Sequence, residues 1–436
     1  TCISLWSQRR QKILGRRLYL LNIFMATAIL ATFFWSNRIP FDPSQLAWDS
    51  WQLFHLVYYY IVLSLPFFLA GMVSSLAFSI HHEKSHYFYF ADLLGAALGS
   101  LFAIYLLFLL PPNRVIVISS MLCLAAAWSF TDKKGVATVA LLLGLLLEAS
   151  LLYFNQIDFL KIYMSPFKAL PQALSFPDSK IIATHWNAHS RVDVFRSPAV
   201  HFAPGLSLMY QENLPPQLGL TTDGDHLNAI TSGENLEING RFTNYLPSTL
   251  VYGIKPGASV LIINSGGGLN ILEAINEGAS SIDAIEPNLA IISLLRGPFR
   301  DFSGDIYGYH KTNTYNEEVR SYLARTDKQY DIIQMSLSTN PSAASTGLYS
   351  LNENYLFTVE AFKEYISHLK QDGIFTLSRY LLPPPREDVR FISLVREAME
   401  TMHIKDYHRN VFLFRSWGTI TLLLKKGPFG PEEIET

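Results

Sequence analysis

The sequence predicts a chain of two structural classes. An α-helical membrane region comes first, then a small β subdomain leading into an α/β domain with a mostly parallel sheet. Three observations carry this: five long apolar runs crowd the region up to Phe154, short strand and helix signals alternate from Ala258 onward, and the first strand of that alternation enters three consecutive glycines, Gly266, Gly267 and Gly268.

Composition sets the frame. The 436 residues leave room for two or three domains, and 49% hydrophobic with only 16% charged exceeds the apolar share of an ordinary soluble enzyme, so part of the excess must face lipid. A net charge of -2 lacks the basic surface that a nucleic-acid partner demands, which excludes that class. Cys2 and Cys123 lie far apart, so neither a disulfide framework nor a Cys-based metal site is expected. The chain opens Thr-Cys and runs into Arg9, Arg10, Lys12, Arg16 and Arg17, the pattern of a fragment of a longer protein rather than of a signal peptide.

The apolar runs cover residues 18–35, 53–80, 87–110, 115–130 and 136–154, the fourth being the shortest. Each approaches or exceeds the roughly 20 residues that cross a hydrocarbon core, and backbone groups in lipid must pair internally, so all five are expected to be helices. Pro66 is expected to kink the second. Ala91, Gly95 and Gly99 recur every four residues in the third, a face of small residues suited to close helix packing. Asp92 and Glu148 lie in or beside apolar runs, where ionisable groups are costly. They mark an intramembrane role or, the commoner outcome, an interfacial Asp92 and a Glu148 turned to a neighbouring helix. His82 and His86 would share a helical face, but with no third ligand in view a solvated loop is expected there and no metal. The basic stretch before Leu18, Lys84, Lys133 and Lys134 fall on one side, against Arg38 and Arg114 on the other, so the first side is expected to be cytoplasmic. Five crossings would leave the globular part outside the cytosol. An even number, with a cytosolic domain, is the expectation.

The predicted domains are membrane helices over residues 1–154, a Pro-punctuated linker over 155–180, a small β subdomain over 181–250 and the α/β domain over 251–436. Short strands over 191–230 are broken by Pro204-Gly205, Pro215-Pro216 and Asp223-Gly224. Strand 260–264 enters Ser265 and the glycines, helix 269–277 follows, and strand 281–285 ends at Glu286. Beyond come strand 331–335, an amphipathic helix 355–369, a turn at Gln371-Asp372-Gly373, strand 374–378, and a hairpin of 410–416 with 419–425 around Trp417-Gly418.

The chemistry gathers at the first strand's carboxyl end. Glycines let backbone approach a ligand closely, and the helix behind them offers free N–H groups. An acid one strand later, Glu286, is where a carboxylate accepts hydrogen bonds from the two hydroxyls of a ribose. The structural alternative is that the glycines only make a tight turn and Glu286 only caps the helix beginning at Asn288.

The segment VLIINSGGGLNILEAINEGASSIDAIEPN resembles the glycine loop and acidic strand end of the spermidine synthases, the aminopropyltransferases. The segment starting YDIIQMSLSTNPSAAS resembles their next strand, gate loop and helix, and LPPQLGLTTDGDHLNAIT is similar to their N-terminal β-subdomain. With ADLLGAALGS, the chain looks most like the transmembrane, spermidine-synthase-like branch found in bacteria. The resemblance implies a Rossmann-like methyltransferase fold, a bacterial inner-membrane location, and S-adenosylmethionine or its decarboxylated form as cofactor, with no metal. It assigns Gly266, Gly267, Gly268 and Glu286 to the nucleoside and, by a looser match, Glu318 to the adenine.

The departures from that family bear on activity. Leu269 and Asn270 follow the glycines where the family continues with an Asp, and Ser336 and Asn340 stand where it carries two acids after the fourth strand. An amine nucleophile is protonated at neutral pH, so its site needs carboxylates to bind it and to take a proton. Glu353, Asp223 or Asp225 are the nearby substitutes, and the catalytic residues are left unassigned. The expected function is a membrane-anchored transferase of polyamine-biosynthesis type, acting on an amine or other small acceptor. The alternative is a catalytically decayed nucleoside-binding or regulatory module, and solute transport rests only on Asp92 and Glu148. Expected partners are the lipid bilayer, a small-molecule nucleoside and, as one option, a second copy of the chain in a homodimer.

Overall fold

Long apolar runs become long helices. The computed structural model describes residues 2–42, 45–46, 48–80, 84–130, 134–153, 160–166, 168–335, 337, 355–381, 386–404 and 406–435. The chain divides into two units, residues 1–165 with 186–188, and residues 166–185 with 189–436.

Among the described residues the first unit holds five α-helices: α1 (Cys2–Ser36), α2 (Trp51–Ile80), α3 (Ser85–Leu109), α4 (Pro112–Ser129) and α5 (Lys134–Tyr153). Four stretches, Ile13–Ser36, Trp51–Ser79, Ser85–Leu109 and Pro112–Ser129, are long and apolar enough to cross a membrane. The fifth helix supplies only the shorter apolar stretch Thr138–Ser150 among the described residues, so length and composition support four spans where the sequence suggested five. The fourth run, the shortest in the sequence, qualifies with 18 residues, and its helix starts after an extended Pro111 with a Pro at its first position. Pro66 lies inside α2.

Helix α1 packs against α2 and α4, and α4 against α5. Val117, Ser120 and Ala127 of α4 are buried. Glu148 is only 5% exposed, and the Ser120 hydroxyl lies 2.6 Å from its Oε1, so this acid does face a neighbouring helix. Asp92 is exposed. Helix α3 has no buried residue, and a methyl group on Gly95 or Gly99 would meet nothing within 4 Å. The expected packing seam therefore has no partner among the described residues. Residues 81–83 lie outside them, and no metal-binding cluster occurs among those described.

The second unit carries two sheets. The smaller is four strands in the order β1-β2-β3-β4, with β1 at Lys180–Trp186, β2 at Arg191–Arg196, β3 at Gln217–Thr222 and β4 at His226–Thr231. An Asp-Gly pair at positive φ, Asp223 and Gly224, turns the β3/β4 hairpin. The larger sheet has seven strands: β5 (Ser259–Ile263), β6 (Ser281–Ile285), β7 (Thr312–Tyr315), β8 (Tyr330–Met335), β9 (Leu369–Tyr380), β10 (Val411–Ser416) and β11 (Thr419–Lys425). Their order is β10-β11-β9-β8-β5-β6-β7. Strands β5 to β9 pair in parallel, and β11 enters antiparallel between β9 and β10. Helices cover both faces. This is a Rossmann-like methyltransferase fold.

Alternation along β5 builds the core: Val260 and Ile262 enter one apolar cluster, Leu261 and Ile263 the other. The first cluster also takes Val192, Val194, Leu218, Leu220 and Ile230, so the small sheet shares a core with the large one. The expected turn at Gln371-Asp372-Gly373 lies inside β9 instead, where the ladder to β8 shifts register between Tyr330 and Ile332. The helix expected over 355–369 is shorter, Val359–Ser367, and is capped by Thr358, whose side chain accepts the Ala361 N–H.

Candidate functional site

Strand order reverses at β5, whose neighbours are β6 on one side and β8 on the other. A crevice forms beyond the carboxyl ends of strands at such a point. Here β5 gives way to Asn264, a non-glycine residue at φ +56°, and then to Ser265 and the glycines. That left-handed backbone costs an L-residue about 1–2 kcal/mol, which the surrounding hydrogen bonds must offset. The loop is pressed from two sides. A Cβ at Gly267 would lie 2.1 Å from the Ala229 carbonyl oxygen of β4, and one at Gly268 would lie 2.2 Å from Ile306 Cδ1. Tyr307 closes the rear, its hydroxyl donating to the Gly266 carbonyl at 2.6 Å.

Glu286 stands at the end of β6 and is 4% exposed. The Gly266 N–H donates to Oε2 at 2.8 Å and the Asn288 N–H to Oε1 at 2.9 Å. Burial pushes this carboxyl up to about 7; the two backbone amides oppose the rise, and Glu318 adds to it. Glu286 thus titrates near neutrality while holding the glycine loop and the next helix start together. Asn288 is itself the helix cap, its side chain accepting the Ala290 N–H.

A cavity of about 440 Å³ opens in front of this carboxylate. Asn264, Gly266, Glu286, Asn288 and Glu318 line it from the large sheet's side, and His189, Asp223, His226 and Asn228 from the small sheet's side. Of the residues singled out in the sequence, Gly266, Glu286 and Glu318 therefore meet in one place, joined by Asp223. Gly267 and Gly268 do not reach the cavity and serve the packing just described. Asp225 is buried away from it. Ser336, Asn340 and Glu353 lie outside the described residues.

A second polar cluster had no motif to announce it. Glu273, on the helix Leu269–Asn276, is fully buried. Its Oε1 accepts the Ser248 hydroxyl at 2.7 Å, and its Oε2 accepts the side-chain amides of Asn270 at 2.7 Å and Gln334 at 2.6 Å. Tyr252 donates to Gln334 Oε1 at 2.6 Å, which fixes the amide's orientation. Burial pushes Glu273 up to about 7 in spite of its three donors. The available signal was a break in strand alternation: the face of β8 and β9 that presents Ile332 and Ile374 to the core continues with Gln334, Thr376 and Ser378 toward the carboxyl ends.

Comparison with known proteins found no matching family and no matching curated protein. Among solved structures, a spermidine synthase in complex with the transition-state analogue AdoDATO is 16% identical over 58% of this chain and 75% of that one, with a TM-score of 0.38. The spermidine synthase from Thermotoga maritima is 17% identical over 59% of this chain and 78% of that one, with a TM-score of 0.38. The ribosomal protein L11 methylase from Lactobacillus delbrueckii subsp. bulgaricus is 15% identical over 41% and 77%, with a TM-score of 0.27. At these scores the fold assignment rests on strand order and pairing.

Proposed function

We propose that the chain is a membrane-anchored, spermidine-synthase-like transferase whose cavity binds an adenosyl nucleoside, either S-adenosylmethionine or its decarboxylated form. The observation that carries this is the buried Glu286 carboxylate, hydrogen-bonded to the Gly266 amide and facing a cavity of about 440 Å³ at the strand-order reversal. The volume suits a nucleoside-sized ligand. Glu286 still has lone pairs for a ribose diol after accepting two amides. Glu318 and Asn288 line the same cavity and are the proposed neighbours of the base. The sequence resemblance supplies the class of ligand, and the four apolar helices support anchoring in a membrane; the cytosolic side for the globular unit is proposed from the basic residues that flank the helices.

A second reading, a nucleoside-binding module without transfer, is favoured by one observation: Ser and Asn occupy positions 336 and 340, where the family resemblance calls for acids.

The test uses the full chain in detergent, titrated calorimetrically with methylthioadenosine and S-adenosylmethionine. Binding is expected, weakened in Glu286→Ala. No heat with any adenosyl ligand sinks nucleoside binding. Binding without a radiolabelled amine product selects the second reading, and protease access in sealed vesicles reports the membrane side.

A further inference from the structure

The Glu273 cluster is not an isolated knot. Beside it lies a chamber of about 20 Å³, bounded by Ser265 and Asn270 at the glycine loop, by Gln334 of β8 and by Thr376 and Ser378 of β9. Phe202, Leu269 and Met335 supply apolar wall. Asn228 and Leu337 border both this chamber and the larger cavity, so the two are neighbours at the carboxyl ends of β5 and β8. One further group is unspent. Thr376 is 1% exposed and borders the chamber, yet its hydroxyl has no hydrogen-bond partner among the described residues. A buried hydroxyl left without a partner is destabilising, so this atom awaits something polar.

The chamber holds about one water-sized group. Its walls offer one carboxylate, hydroxyl and amide oxygens, and apolar carbon for a stem. Among small groups, a terminal ammonium fits that inventory: three donors on a compact point charge, one each for an acid and two neutral acceptors. A carboxylate or phosphate would meet Glu273 with like charge, and a trimethylammonium is too large.

We propose that this chamber is an inner subsite for the single primary ammonium end of a monoamine acceptor, with Glu273 as its counter-charge and Thr376 as a hydrogen-bond acceptor. The inference deepens the transferase reading, on which it rests, by naming the acceptor's charge and size. It places the carboxylate on the helix after the glycine loop instead of after β8, and it provides for one ammonium only.

Binding an ammonium favours ionised Glu273, which otherwise titrates near 7, so amine binding near neutral pH is expected to release protons. The other titratable groups acting on or through the cluster are Glu277 on the same helix and Tyr252, whose hydroxyl proton burial holds firmly.

The experiment is calorimetric titration of the full chain in detergent with n-propylamine, in two buffers of different ionisation enthalpy near pH 7. The expected result is saturable binding with proton release, no binding of tetramethylammonium or 1-propanol, and roughly tenfold or greater weakening in Glu273→Gln with the proton release lost. Thr376→Val, a nearly isosteric change, is expected to weaken the amine roughly three- to tenfold while leaving proton release intact. Methylthioadenosine titration of the same samples separates the failures. Nucleoside binding with no propylamine binding, with or without nucleoside present, overturns this inference and leaves the proposed function standing. Loss of nucleoside binding in the wild type overturns that function as well. Equal propylamine affinity in wild type and both variants overturns the assignment of the chamber.

Discussion

The backbone N–H of Gly266 donates to Oε2 of Glu286 at 2.8 Å, so the loop after β5 and the acid after β6 form one hydrogen-bonded unit across parallel strand ends. Glu286 is therefore both a structural acceptor and the wall of a cavity. The two readings that the sequence left open, ribose acceptor and local cap, describe different lone pairs of the same carboxylate.

Replacing Glu286 by alanine removes an acceptor from the Gly266 and Asn288 amides and from any ribose. Nucleoside affinity is expected to fall roughly 10- to 100-fold, the range for hydrogen bonds to a charged group. Calorimetric titration of wild type and variant measures it.

Affinity should also depend on pH. A ribose diol donates best to an ionised carboxylate, and Glu286 titrates near 7. The dissociation constant is expected to fall as pH rises from about 6 to about 8. A flat profile in Glu286→Gln, with a sloping one in wild type, is the signature to look for.

Stability should run the other way. Glu273 and Glu286 are both raised from an ordinary 4.5 to about 7, so the folded state holds their protons longer than the unfolded chain does. Their contribution is complete below about 4.5 and is lost as pH rises through about 7, on the order of 3 kcal/mol for each acid. Glu273→Gln is expected to reduce that slope in denaturation curves recorded across the window.

Gly267→Ala tests the packing of β4 on the loop. Its methyl group would start 2.1 Å from the Ala229 carbonyl oxygen, and backbone on both sides has little room to yield. A loss of roughly 1–3 kcal/mol is expected, read as a lower thermal midpoint.

In the helical unit, Ser120→Ala removes the hydroxyl lying 2.6 Å from the buried Glu148. A cost of roughly 1–2 kcal/mol in detergent is expected, with Glu148→Gln in the Ser120→Ala background recovering part of it. Thermal unfolding of the two variants against wild type decides.

Local pattern made much of the α/β unit legible. Strand β6 spans the predicted residues, β5 starts one residue early, and the Trp417-Gly418 hairpin forms with Trp417 at positive φ. Each is a continuous apolar or alternating run closed by a turn residue, so neighbours in sequence carry the signal. The Glu273 cluster was hidden for the opposite reason. Ser248, Asn270 and Gln334 come from separated segments, and each looks alone like an ordinary polar residue. Asn228, on a short strand of the small sheet, belongs to the same class. The apolar helices were legible as elements, but which faces touch was not: residues spaced for close packing in α3 are uncovered among the described residues, while a buried hydrogen bond joins Ser120 to Glu148.

Strand β11, threaded antiparallel between β9 and β10, has a consequence for biosynthesis. The sheet cannot close until Lys425 has left the ribosome, because its penultimate position is filled by β11, the last of its seven strands in chain order. Until then β9, which carries Ile374, Phe375 and Leu377, exposes an unpaired edge, the kind of surface that chaperones recognise and that aggregates when synthesis stalls. Truncation anywhere before Thr419 should therefore cost solubility of the whole globular unit, not merely its last hairpin.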